Sequence, residues 1–260
     1  MIRLNYIRNI FRGHRGKIMK RIIRLLTILT LAMLLPVLTG CETTKANTNE
    51  KSGPTKMVLD NNAKEFGIKL SDKEDFSSAS DSIALTEGFK ITNTSFTIIN
   101  FSDALKTNGV IKDSNCFAYT IYVKNEGSEA TNIEINLNVK KETRNIGKAM
   151  RFAVIDGGNT DEQGNVTFNK GTIYLKNDGH GDEELISEFS RDETNRALYE
   201  LFDKEYFKND NCYGSFEIEN LGVNESKKIT IIYWIEGNDL DCVNAIIGGE
   251  LLMEYVVSNK

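Results

Sequence analysis

Apolar residues in the second half of the chain recur mainly at every second position. Ile133, Ile135, Leu137 and Val139 alternate with Glu134, Asn136 and Asn138, which predicts a strand with one buried and one wet face. Phe117, Tyr119, Ile121 and Val123 alternate in the same way with Ala118, Thr120 and Tyr122. The intervening Lys124-Asn125-Glu126-Gly127-Ser128-Glu129 is rich in turn formers, so the two runs read as a hairpin or as a connection that crosses between sheets. Further strands are predicted at Phe89–Phe101, Met150–Ile155, Val166–Phe168, Thr172–Leu175, Tyr213–Glu219, Lys228–Ile235 and Glu250–Val257. Within these, Ile229–Ile235 is apolar on both faces, the mark of a central strand. Seven or more strands separated by Gly/Asn/Asp turns predict a mainly β fold, an antiparallel β-sandwich of jelly-roll or immunoglobulin-like type.

One segment breaks the period of two. Over 182–208, Leu185, Ile186, Phe189, Leu198, Leu201, Phe202 and Phe207 fall at mostly three-to-four spacing behind acidic residues, which predicts a helical insertion. Before Ile83 the pattern is mixed. Met57-Val58-Leu59 and Phe66–Leu70 suit a strand or a short helix, and Ser71–Ser82 reads as loop. The expected division is therefore a leader over 1–40, a polar tether and lead-in over 41–82, and the sandwich over 83–258.

Charge gives the leader its meaning. Residues 1–40 hold eight basic side chains and no acid, leaving 24 of the 32 basic residues against all 37 acids, a balance of −13 for the remainder. After Arg24 an uncharged stretch, Leu25–Gly40, leads to Cys41. A basic region, a short apolar run and a small-residue cleavage site describe a secretory signal, and the run is too short for an ordinary membrane span. Leu38-Thr39-Gly40-Cys41 resembles the lipobox of bacterial lipoproteins. That resemblance implies that the Cys41 thiol receives a diacylglyceryl group and that the leader is cut before it. Met19 is a second candidate initiator, and it yields the same mature product. Two acyl chains hold a bilayer stably where one holds it only reversibly. The expected location is the extracytoplasmic face of a cell membrane, in a Gram-positive bacterium. The acidic body argues against nucleic-acid partners and against electrostatic adhesion to anionic lipid, so the anchor has to be the lipid rather than a basic patch.

The inventory of reactive residues is small. Of the two histidines, His14 leaves with the leader, so a His-rich zinc site cannot be assembled; His180 lies in a hydrophilic turn. No GxSxG is present. Glu236, Asn238, Asp239 and Asp241 form the densest group of oxygen ligands and are a candidate Ca²⁺ site, although the spacing is not that of an EF-hand. Asp156–Glu162 is a second acidic turn of the same kind. No other cofactor is expected. With Cys41 reserved for lipid, Cys116, Cys212 and Cys242 remain, an odd number that allows one disulfide within the chain; Cys212–Cys242 is the candidate pair, and three unbonded thiols are the equal alternative.

Two stretches carry a further resemblance. Tyr119–Val139, in which a strand ends in Lys-Asn-x-Gly before an alternating strand, resembles the sandwich-domain pattern of Gram-positive surface proteins of the camelysin/TasA-like matrix group. Tyr233–Glu250 resembles a C-terminal signature of uncharacterised bacterial surface proteins in the same general class. The resemblance implies a sandwich and a surface role; the lipobox is a departure from the matrix group. The functional expectation is a non-enzymatic, lipid-anchored surface protein that binds an envelope, polymer or protein partner. The alternatives are a self-associating matrix component and a carboxylate- or Ca²⁺-dependent hydrolase.

Overall fold

The alternation of buried and half-buried residues along the longer strands sorts them into two layers. A computed structural model describes residues 54–86, 89–92, 101–106, 110–112, 116–163, 165–177, 200–237 and 239–260. In chain order the strands are β1 (Thr55–Leu59), β2 (Ile68–Ser71), β3 (Ser82–Thr86), β4 (Phe89–Lys90), β5 (Val110–Lys112), β6 (Cys116–Asn125), β7 (Thr131–Glu142) and β8 (Met150–Asp156). They continue with β9 (Asn159–Thr160), β10 (Val166–Thr167), β11 (Lys170–Leu175), β12 (Asp203–Tyr206), β13 (Cys212–Leu221), β14 (Ser226–Ile235) and β15 (Glu250–Asn259). Two short helices are described, α1 (Asn61–Phe66) and α2 (Phe101–Lys106).

Sheet A runs β13-β7-β15-β1-β3, with β4 beside β15. Sheet B runs β12-β11-β8-β14-β6-β2, with β5 beside β6. β9 and β10 form a separate two-stranded sheet. Both are mixed, because β1 lies parallel to β15 and β12 parallel to β11. The sheets pack face to face as a sandwich, and the expectation of a mainly β sandwich holds. Their inner faces build one core, from Ile133, Ile135, Leu137 and Tyr255 on sheet A to Tyr119, Phe152, Ile231 and Tyr233 on sheet B.

The two outer faces differ. β7 and β15 expose every second residue in part, so sheet A keeps a polar outer face, as the strict alternation at Ile133–Val139 requires. In β8 every residue is buried, and in β14 every residue from Ile229 on. Sheet B is apolar on its outside too, where Ala118, Ala153, Ile173, Ile232 and Trp234 pack with Phe101 and Leu105 of α2 and with Phe202. This second cluster is why Ile229–Ile235 has no polar alternation.

Three expectations need correction. The packed domain extends back at least to Thr55 rather than starting near Ile83, because β1 lies between β15 and β3 and buries Met57 and Leu59. α1 follows it directly, with the Asp60 carboxylate accepting from the Ala63 amide at 2.7 Å. Gly67 closes α1 at φ +104°, a left-handed position that suits glycine. Second, of the predicted strand Phe89–Phe101 the described residues show β structure at Phe89–Lys90, Phe101 opens α2, and 93–100 lie outside the described residues. Third, Asp203–Tyr206 is not helical: all four residues are exposed and bond to the edge of β11. Of the rest of the predicted helical insertion, 200–202 are turn and bend, and 182–199 lie outside the described residues.

Asp156 ends β8 with little exposure, and one of its carboxylate oxygens has no hydrogen-bond partner. Burial raises its pKa, against the opposing charges of Lys227 and Lys170 and the 3.5 Å contact from Asn169 Nδ2. The folded state therefore binds this proton at higher pH than the unfolded chain. The Asp156 contribution to stability grows as pH falls from neutrality towards the ordinary value of 3.8, and shrinks as pH rises through that window. Asp156→Asn is expected to be the more stable protein at neutral pH, with the gap closing on acidification. Melting curves of both proteins across that range check this, and a gap that widens in acid would contradict it.

Candidate functional site

Glu236–Asp241, the candidate Ca²⁺ loop, leaves the end of β14 beside the connection from β7 to β8. Glu236 is fully buried, and the Trp234 Nε1–H donates to its Oε2 at 3.4 Å. Asp239 accepts from Arg151 Nη2 at 2.7 Å through one oxygen and from the Asp241 amide at 2.8 Å through the other. The Arg151 and Asp239 side chains are only 3% and 1% exposed. Arg151 Nη1 also donates to the carbonyls of Lys148 and Met150. Asp241 pairs with Lys148 at 3.4 Å. Asn238 lies outside the described residues. Of the acids that spacing suggests as ligands, Asp239 thus engages Arg151 of β8 and Asp241 engages Lys148 of the β7–β8 connection, while Glu236 accepts from Trp234. Among the described residues no group of three or more His, Cys, Asp or Glu is placed to hold a metal ion. In the second acidic turn, Asp161 accepts from the amide and the side chain of Asn165 at 2.8 and 2.7 Å.

The anticipated Cys212–Cys242 bond is absent: Cys116, Cys212 and Cys242 are free thiols. Cys212 opens β13 opposite Asn138 in sheet A, and its thiol donates to the Gly214 carbonyl at 3.4 Å. Cys242 lies in the segment that crosses from sheet B to β15. Leu38, Thr39, Gly40, Cys41 and His180 lie outside the described residues.

Among the described residues, a polar cleft of about 300 Å³ is lined by Val139, Lys140, Lys141, Glu142, Asn145, Lys176, Asp210 and Asn211. Four chain segments meet there: the end of β7, its turn into β8, the residue after β11 and the turn into β13. Glu142 forms a fixed wall, accepting from the Tyr213 hydroxyl and the Gly147 amide, each at 2.9 Å. Burial, with the nearby Glu142 charge, pushes the Tyr213 phenol well above its ordinary pKa, so it stays a donor. The turn holds two successive left-handed non-glycine residues, Arg144 at φ 59° and Asn145 at φ 54°. That strained pair persists because its surroundings fix it; Arg144 Nη1, for example, donates to the Ile247 carbonyl at 2.6 Å.

The cations of the cleft are paired but exposed. Lys176 donates to Asp210 at 2.6 Å and Lys141 to Glu250 at 2.5 Å, and these contacts hold both carboxyls below their usual range. Lys140 shares Glu254 with Lys56. Burial alone would raise the Glu254 pKa, but the two lysines outweigh it and the net shift is downward. A lining of ammonium donors and carboxylate acceptors is chemistry for holding anions and hydroxyl groups. No local motif announces it, since its parts are up to about seventy residues apart in the chain. No known protein family, no curated protein and no solved structure matches the chain.

Proposed function

We propose that the chain is a lipid-anchored, extracytoplasmic surface protein, non-enzymatic, whose β-sandwich binds an envelope, polymer or protein partner. The observation that carries the reading is the contrast between the outer faces. Sheet B closes its outside with an apolar cluster, whereas sheet A offers half-buried polar side chains ending at the cleft. Loops and faces held on a rigid β scaffold are where binding groups usually sit. The anchor rests on Leu38-Thr39-Gly40-Cys41 at the end of the apolar run.

The anchor is tested by Cys41→Ser. The native chain is expected to take up an azido-fatty-acid label and to enter the detergent phase, and the variant to lose the label. A native chain that takes up none overturns the anchor. Binding is tested with isolated Gram-positive cell-wall sacculi, which are expected to sediment the native chain and to retain less of Lys140→Glu. Equal retention removes the sheet A face from the reading.

Self-association is a second reading, supported by β3. This strand, Ser-Ile-Ala-Leu-Thr, is an uncharged edge of sheet A with no proline to block a further strand. Sedimentation velocity decides it, because a chain that stays monomeric as concentration rises is not a matrix component.

A further inference from the structure

Charge on the outer face of sheet A is segregated along the strands. The register levels Ser215, Asn136, Val256, Val58 and Ser82 in one row across β13, β7, β15, β1 and β3, and none of the five is charged. Towards the start of β15 the face carries Lys56, Lys90, Lys140 and Lys141 against Glu250 and Glu254, an excess of two cations. Towards its end Glu134, Glu217 and Glu219 stand against Lys260 and against Lys208, which donates to the Ser215 hydroxyl from beyond β13; one anion is left over. Each half therefore keeps an unbalanced charge of opposite sign after its own pairs are counted. Val58 and Val256, half-buried neighbours on β1 and β15, lie on the row between the halves.

We propose that this face is an isologous interface with a second copy of the chain, packed face to face with the strands reversed. A two-fold axis laid along the uncharged row sets the cationic half of each copy on the anionic half of the other, and it brings Val58 and Val256 close to their own counterparts. An axis along the strands would instead oppose like charges. This rests on the reading of sheet A as the binding face, whose protein partner it names.

Size and access support this occupant. The five strands of the face hold about forty residues, which at a rise of about 3.3 Å and a spacing of about 4.8 Å cover roughly 650 Å². Two copies bury about 1,300 Å², inside the range of specific protein interfaces. The ion pairs within each face are partly exposed and therefore weak, so their members can re-pair across the contact. The outside of sheet B offers no equivalent, since Phe101, Leu105 and Phe202 close its apolar cluster. Reversed strands do not separate two anchors in one membrane. Thr55 lies about three residues, or roughly 10 Å, from the uncharged row, and residues 42–54 reach up to about 45 Å.

The test places the photoreactive residue benzoylphenylalanine at Val256 of the full chain, which is then illuminated in detergent solution. A product of twice the chain's mass is expected, cross-linked into 131–142 or 250–260 of the second copy. The same probe at Glu205, on the far edge of sheet B, should give almost none. Lys140→Glu should lower the Val256 yield several-fold, and adding Glu134→Lys should restore it. These two positions are about 20 Å apart along β7 and pair with different residues within one copy, so rescue reports opposition between copies. Equal yields at Val256 and Glu205, or a Lys140→Glu loss that Glu134→Lys deepens, overturn the pairing. Absence of the product while sacculi still retain the native chain overturns the pairing alone. A chain that neither cross-links nor is retained overturns the binding-face reading with it.

Discussion

Asp239→Ala is expected to lower the stability of the domain by about 3–5 kcal/mol, because it leaves the Arg151 guanidinium buried without a counter-charge. The loss is not a measure of what the ion pair contributes. Arg151 lies on the outer face of sheet B, level with Trp234 on β14 and Leu175 on β11, and its Nε already has no hydrogen-bond partner. Removing both charges, as Arg151→Met with Asp239→Leu, is expected to recover most of the stability, since well-packed apolar pairs often replace buried ion pairs without penalty. Urea denaturation of the two single variants and the double variant measures the coupling. A loss below about 1 kcal/mol for Asp239→Ala, the range of exposed pairs, would show that water reaches the guanidinium.

The same pair shows where sequence reading stops. The acids Glu236, Asp239 and Asp241 are conspicuous in the chain, but the cation that claims Asp239 lies 88 positions away and follows an unremarkable turn. Spacing shows which carboxylates are close in sequence, not which charge the fold brings to them. The cleft was illegible for the same reason, as Lys176 and Asp210 join Lys140 and Lys141 only after four segments converge. Leu38-Thr39-Gly40-Cys41 is the opposite case, since its resemblance to a lipobox rests on contiguous residues and the apolar run before them.

The fold was legible where one strand carries its own periodicity. Ile133–Val139 states which side of β7 is wet, and the continuous Ile229–Ile235 states that β14 is covered on both faces. It was not legible where pairing rather than composition makes the strand. β1 is five residues long and owes its place to a parallel register with β15, some two hundred residues later. β12, Asp-Lys-Glu-Tyr, has no apolar alternation at all and is a strand only because β11 offers it an edge. The helical spacing around it reads on through a stretch that tertiary hydrogen bonding has claimed.

The second large effect is expected in the core. Tyr233 of β14 stacks on Phe117 at 5.4 Å and on Phe152 at 5.5 Å, and meets Phe89 of sheet A edge-on at 5.3 Å. With Phe117, which also meets Phe89 at 5.3 Å, it ties three strands of sheet B to a strand of the other layer. Tyr233→Ala removes those contacts and leaves a cavity that neighbours from two sheets cannot close together, so a cost of about 3–5 kcal/mol is expected. For a domain of this size the melting temperature should fall by on the order of 10 °C. Tyr119→Phe supplies the contrast in the same ring cluster. Its hydroxyl is buried with no hydrogen-bond partner, as is that of Tyr255, whose ring lies 5.9 Å away. Deleting the Tyr119 hydroxyl keeps the ring contacts and removes an unsatisfied polar group, so the variant should match or exceed the native protein in stability. A clear loss for Tyr119→Phe would mean that the Tyr119 and Tyr255 hydroxyls satisfy each other, directly or through a bound water, and the centre of the sandwich would then hold a polar pair rather than two orphaned groups.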